Sequence, residues 1–112
     1  MSGIESGNLY GNLPTKLDEE QFTELLSHGP VKLERIVSTG QTTPEGEWYD
    51  QDQTEWVIVL KGAATLRFEN EPTARSLSEG DYLLIPPHAR HRVDATDPDQ
   101  PTVWLALHVF GD

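Results

Sequence analysis

The sequence predicts an all-β domain, a sandwich or barrel of short strands with one short helix near its start. Three observations carry this. About eight short apolar or alternating runs are separated by turn signals roughly every ten residues. Two of the runs, Trp56–Leu60 and Thr102–Phe110, are apolar on both faces, so each must be covered on both sides. The stretch Gly80–Val93, GDYLLIPPHARHRV, reads as a strand, a rigid corner and a second strand. Its prolines, Pro86 and Pro87, end the first strand because proline removes a ladder donor and restricts the residue before it.

Taken in order, residues 1–13 are rich in Gly, Asn and Ser and read as a flexible arm, leaving residues 14–112 as a single domain. Residues 18–28, DEEQFTELLSH, predict a helix. Asp18 is a candidate N-cap, acids crowd the first turn, and Phe22, Leu25 and Leu26 form an i, i+3, i+4 stripe. Gly29 and Pro30 stop it. The period then changes to two: Val31, Leu33 and Val37 share one face of a strand, and Lys32, Glu34 and Ser38 the other. A loop follows, then a short strand at Glu47–Gln51 and the strong run from Trp56. Ala63–Phe68 reads as its hairpin return, and Thr73–Leu77 as a further strand. The rigid turn Asp97–Pro101 leads to the last strand, which carries His108.

Composition narrows function. The chain has 112 residues, enough for one core, and no apolar run long enough to span a membrane. Its start lacks a basic segment and an apolar stretch, which leaves a cytoplasmic protein as the expectation. There are no cysteines, so disulfides, thiol nucleophiles and thiolate metal sites are excluded. With 19 acids against 8 Lys plus Arg, the net charge of −11 would repel a phosphate backbone, and no nucleic-acid partner is expected. Arg90 and Arg92 form a small basic cluster against this background.

Two motifs resemble those of the cupins, small double-stranded β-helix barrels of jelly-roll type. The family's second motif runs Gly, five residues, Pro, one residue, Gly, two residues, His, three residues, Asn. Here Gly80, Pro86, His88, His91 and Ala95 occupy those places. Its first motif ends in Glu, six residues, Gly, matched by Glu55 and Gly62. The two motifs and the segment between them span about residues 46–95. The resemblance implies a jelly-roll barrel with a site inside it. Metal-binding cupins place His-x-His three or four residues before the Glu; here those positions hold Tyr49 and Gln51, or Trp48 and Asp50. Glu55 and His91 alone keep the family's ligand identities.

The resemblance therefore implies a metal set of His91, Glu55 and Gln51, with Tyr49, His88, Arg90 and His108 around the pocket. One imidazole, one carboxylate and one amide suit a weakly held divalent Fe, Mn, Ni, Cu or Zn completed by water or substrate. The expected function is binding of a small polar molecule in the barrel, with isomerase- or dioxygenase-type chemistry if a metal is held. The alternative is a metal-free binding or sensing module, and a third reading is a barrel filled by its own side chains. The doubly apolar strands predict a homodimer. The parity of His108 leaves its direction open.

Overall fold

A computed structural model describes residues 3–111 as eight strands with no helix among them. The strands are β1 (Gln21–His28), β2 (Val31–Ser38), β3 (Thr54–Lys61), β4 (Ala63–Phe68), β5 (Arg75–Ser78), β6 (Tyr82–Ile85), β7 (His91–Thr96) and β8 (Thr102–Val109). They form two antiparallel sheets, one of order β1-β2-β8-β3-β6 and one of order β5-β4-β7. Together the two sheets have the arrangement of a jelly roll. The core lies between them: Val57, Val59 and Ile85 with Trp104 and Ala106 from the large sheet, and Ala64, Leu66 and Leu77 from the small one.

The helix expected over residues 18–28 is absent; the segment is β1. A helix of about three turns is marginal alone, whereas as a strand it pairs with β2 from Gln21↔Val37 to His28↔Val31. Its helix-like spacing comes from a bulge. The register shifts between Glu24 and Leu26, an extra residue that changes strand parity. Phe22 therefore turns towards the space between the sheets, while Leu26 lies opposite Leu33 on the outer face.

A second correction concerns β4, which is not the hairpin partner of β3. β3 pairs with β6 and β8, and β4 pairs with β5 and β7. The chain changes sheets at Gly62, where φ is +88° and a Cβ would lie 2.5 Å from Thr102 Oγ1 and 2.8 Å from Thr102 Cα. Only glycine fits so close an approach in that backbone conformation. The run Glu47–Gln51 is shorter than a strand; it makes a single bridge, Tyr49 to His91.

Alternation on β3 follows the sequence: Glu55, Val57 and Val59 are buried inward, while Trp56, Ile58 and Leu60 face out. Part of that outer side is covered by the N-terminal arm. Arg35 donates from Nη1 to the carbonyls of Leu9 and Gly11 at 3.1 Å each, and the Tyr10 hydroxyl reaches the Leu60 carbonyl at 3.4 Å. Val37 and Val103, which face outward in the register, are fully buried there. The rest of the outer face remains uncovered. Leu26, Leu33, Leu107, Trp56 and Leu84 are paired in succession across all five strands as one apolar row.

Candidate functional site

A cavity of about 110 Å³ lies between the sheets. β3 contributes Glu55 and Val57 to it, β8 contributes Trp104 and His108, and β2 contributes Glu34 and Ile36. β7 adds His91 and Val93 from the small sheet, and the loop before β3 adds Tyr49 and Gln51. Strand pairing explains the convergence. Glu55 lies opposite His108 on β8 and Ile85 on β6, so one rung of the large sheet carries both polar groups inward.

His91 is the most constrained of these side chains. Only 5% of it is exposed. Its backbone exchanges two hydrogen bonds with Tyr49, at 2.7 and 3.1 Å. Its ring lies between Tyr49, 5.5 Å away by centroid, and Phe68, 5.6 Å away. Its Nδ1 is 2.8 Å from the Ala89 carbonyl, which accepts only a proton-bearing nitrogen. Nε2 has no partner among the described residues, and His91 lines the cavity; in the neutral ring this nitrogen carries the lone pair. Glu55 is buried and accepts one bond, from Gln51 Nε2 to Oε1 at 3.1 Å.

His108 faces inward, which settles the direction its parity left open. Both of its nitrogens are engaged. Nε2 donates to Glu34 Oε1 at 2.9 Å, and Gln53 Nε2 approaches Nδ1 at 3.3 Å as donor. Glu34 Oε2 in turn lies 3.6 Å from the Lys32 ammonium.

A second chain runs from the core to the cavity. The Trp104 indole donates to Ser38 Oγ at 3.0 Å, and the Ser38 hydroxyl donates to Glu20 Oε2. Burial pushes the Glu20 carboxyl above its ordinary pKa, against the pull of that hydroxyl. Burial also raises the Tyr49 phenol, helped by the charges of Glu20, Glu55 and Glu47, so the phenol stays a hydrogen-bond donor at neutral pH.

Of the residues singled out in the sequence, the cavity gathers His91, Glu55, Gln51, Tyr49 and His108. His88 and Arg90 lie outside its lining. His88 sits on the surface with φ +62°, the left-handed region that glycine, its counterpart in the motif, adopts freely. It bridges Asp50 (2.7 Å) and Asp52 (3.4 Å). Arg90 pairs with Glu69 at 3.0 Å and lies over Trp48. Arg92 is held by Asp94 and by the carbonyls of Thr43, Pro44 and Glu47. Neither arginine is left for an anion in the cavity.

Glu20, Glu34, Phe22 and Trp104 were missed. Glu34 carried a faint signal, an acid on an alternating strand, with Leu33 before it and Ile36 two residues on. Glu20 carried none, because it lies just before β1 and reaches the cavity lining through tertiary packing, held by the Ser38 hydroxyl.

Among the described residues no group of three His, Cys, Asp or Glu side chains is close enough to share an ion. His108 has both nitrogens occupied, and Gln51 is already bonded to Glu55. These residues do not fit a tightly held metal, which takes three or four good ligands.

A two-sheet jelly roll enclosing a mostly apolar cavity with a few converging polar groups has the form that small-molecule sites commonly take. The chain matches the family model "Cupin domain" over residues 35–109 and belongs to the cupin family. A solved structure of a protein from Ralstonia eutropha JMP134, provisionally named a mannose-6-phosphate isomerase, is 44% identical, with a TM-score of 0.94. That match covers 96% of this chain and 100% of the other. A cupin superfamily protein of Desulfitobacterium hafniense DCB-2 superposes with a TM-score of 0.72 at 15% identity, covering 88% and 84% of the two chains. A protein of Thermus thermophilus does so at 0.76 and 15%, covering 95% and 97%. These last two share the fold. No curated protein matches the chain. Among the described residues no helix is long and apolar enough to cross a membrane.

Proposed function

We propose that this cupin takes a compact polar organic molecule into the cavity between its sheets, where His91 and Glu55 meet it. The observation that carries this reading is the posture of His91. It is bridged to Tyr49, bonded to Ala89 through Nδ1 and lines the cavity, with Nε2 unpartnered among the described residues. A positioned imidazole lone pair beside a carboxylate suits binding of an O–H or N–H group. It equally suits proton transfer at a carbon next to a carbonyl, with the Tyr49 phenol as a donor to developing charge. That is isomerase-type chemistry, which the name of the 44% identical protein also favours.

The test is a thermal-shift screen of small polar molecules on wild type, His91→Ala and Glu55→Gln. A ligand that raises the melting temperature of wild type should lose its effect in both variants while the unliganded proteins stay folded. An equal shift in wild type and His91→Ala would overturn the assignment.

The second reading is a weakly held divalent ion on Glu55, His91 and Gln51. It is supported by the two family positions that keep their identity, Glu55 and His91, both of which line the cavity. Elemental analysis of the same three proteins separates it from the first: near-stoichiometric metal lost in both variants would favour it.

We also infer a homodimer formed through the outer face of the large sheet, in a cytoplasmic setting. The row Leu26, Leu33, Leu107, Trp56 and Leu84 and the neighbouring row Thr23, Arg35, Leu105, Ile58 and Tyr82 contain no carboxylate, in a chain with 19 acids. Self-association elsewhere would bring like charges together. Sedimentation should give twice the chain mass, and a single-chain mass at micromolar concentration would exclude the dimer.

A further inference from the structure

The unsatisfied atoms of the cavity specify the charge of its ligand. They are acceptors. Glu55 Oε1 is bonded to Gln51, leaving Oε2; Glu20 Oε2 takes the Ser38 hydroxyl, leaving Oε1. His91, nine-tenths buried, donates through Nδ1 to Ala89, so in the neutral ring Nε2 carries the lone pair. Glu34 lies deeper, with His108. Among the described residues no lysine or arginine lines the cavity. Lys32 pairs with Glu34 from outside the lining, and Arg90 and Arg92 are committed to Glu69 and Asp94.

The phosphate or carboxylate group of a ligand brings acceptors and negative charge, so it would face Glu20 and Glu55, with the nearest ammonium, Lys32, already paired to Glu34. A metal ion would suit the charge, but no three of the His and acid groups converge closely enough to share one. A molecule with several N–H and O–H groups can reach acceptors that are spread apart. The volume sets its size. About 110 Å³ is well below the ~300 Å³ at which sites for drug-sized ligands begin, which favours a compact molecule. The faces of Trp104 and Tyr49 add favourable surfaces for a cation.

We propose that the ligand of this cavity is a compact, donor-rich organic cation, an ammonium carrying hydroxyl groups, and not a phosphate ester. The proposal rests on the reading of the cavity as a small-molecule site. It departs from the substrate in the name of the 44% identical protein.

The test is a charge series on one carbon skeleton: 2-amino-1,3-propanediol as cation, glycerol as neutral molecule and glycerate as anion, with mannose 6-phosphate beside them. Each is titrated into the full chain at pH 7 with EDTA present, followed by NMR shifts of the Trp104 indole and the His91 ring. The cation should bind tightest, about tenfold or more above glycerol, and the two anions weakest. Glu20→Gln should weaken the cation roughly fivefold and leave glycerol unchanged. Preference for glycerate or mannose 6-phosphate would overturn the charge assignment and leave the cavity a binding site. No binding by any of the four would overturn both. Cation binding that appears only without EDTA would also overturn the proposal, in favour of a metal.

Discussion

Replacing Gly62 with alanine tests the crossing between the sheets. At φ +88° an L-residue is strained by about 1–2 kcal/mol. The new Cβ would also lie 2.5 Å from Thr102 Oγ1, 2.8 Å from Thr102 Cα and 3.0 Å from the Pro101 carbonyl. Two of these are backbone atoms, so a rotamer change cannot relieve the clash, and Thr102 is fully buried. Overpacking of this kind costs about 1–3 kcal/mol. The sum is roughly 2–5 kcal/mol, or a melting temperature lower by about 10–20 °C in a chain of this size. Gly80 supplies the control: its φ is +91°, but nothing lies within 4 Å of its Cβ position. Gly80→Ala should therefore show the conformational cost alone, about 1–2 kcal/mol. The entropy that alanine removes from the unfolded chain is common to both variants and cancels in the difference. Urea titration of wild type and both variants reads the two losses, with m expected to stay constant. If Gly62→Ala costs no more than Gly80→Ala, the close approach to Thr102 does not govern the crossing.

Other perturbations address the polar groups. Trp104→Phe should cost about 1–3 kcal/mol in urea, because it leaves Ser38 without its indole donor at the centre of the core. Glu20 has a folded pKa above its unfolded one, so its ionisation opposes folding once the pH passes the unfolded value. Glu20→Gln should thus raise the melting temperature at pH 7 more than at pH 4; an equal rise at both would contradict the burial argument. His88 has its pKa raised mainly by the Asp50 hydrogen bond, with the charges of Asp50 and Asp52 adding to it. Its contribution is full below the ordinary histidine pKa and fades as pH rises through the folded value. The melting-temperature difference between wild type and His88→Asn should shrink from pH 6 to pH 8.5.

What the sequence revealed was local. Alternation around Glu55 gave the correct inward set, because strand parity depends only on neighbours. The corner at Pro86 and Pro87 and the inward turn of His91 were legible from proline chemistry and the motif spacing. The bulge in β1 was not, since one extra residue made a strand imitate helical spacing. The partners of β3 and β4 were hidden as well: the close contact of Gly62 is with Thr102, far along the chain. The site divides in the same way. Tyr49, Gln51, Glu55 and His91 belong to motif segments, whereas Glu20 and Glu34 arrive through tertiary packing alone. Arg90 and Arg92 read only as a basic cluster, with Arg90 placed at the pocket, because their partners, Glu69, Asp94 and the carbonyls near Thr43, are fixed only by folding.

β3 takes part in two surfaces at once. Glu55 and Val57 face the cavity, while Trp56 and Ile58, between and beside them, form the middle of the bare outer face. No residue separates the two roles. A ligand that alters the twist of β3 must also alter how tightly the outer face holds whatever covers it. Thermodynamic reciprocity then requires the covering partner to change ligand affinity by the same factor. In such a thin sheet, occupancy and assembly would be read out on opposite sides of a single layer of backbone.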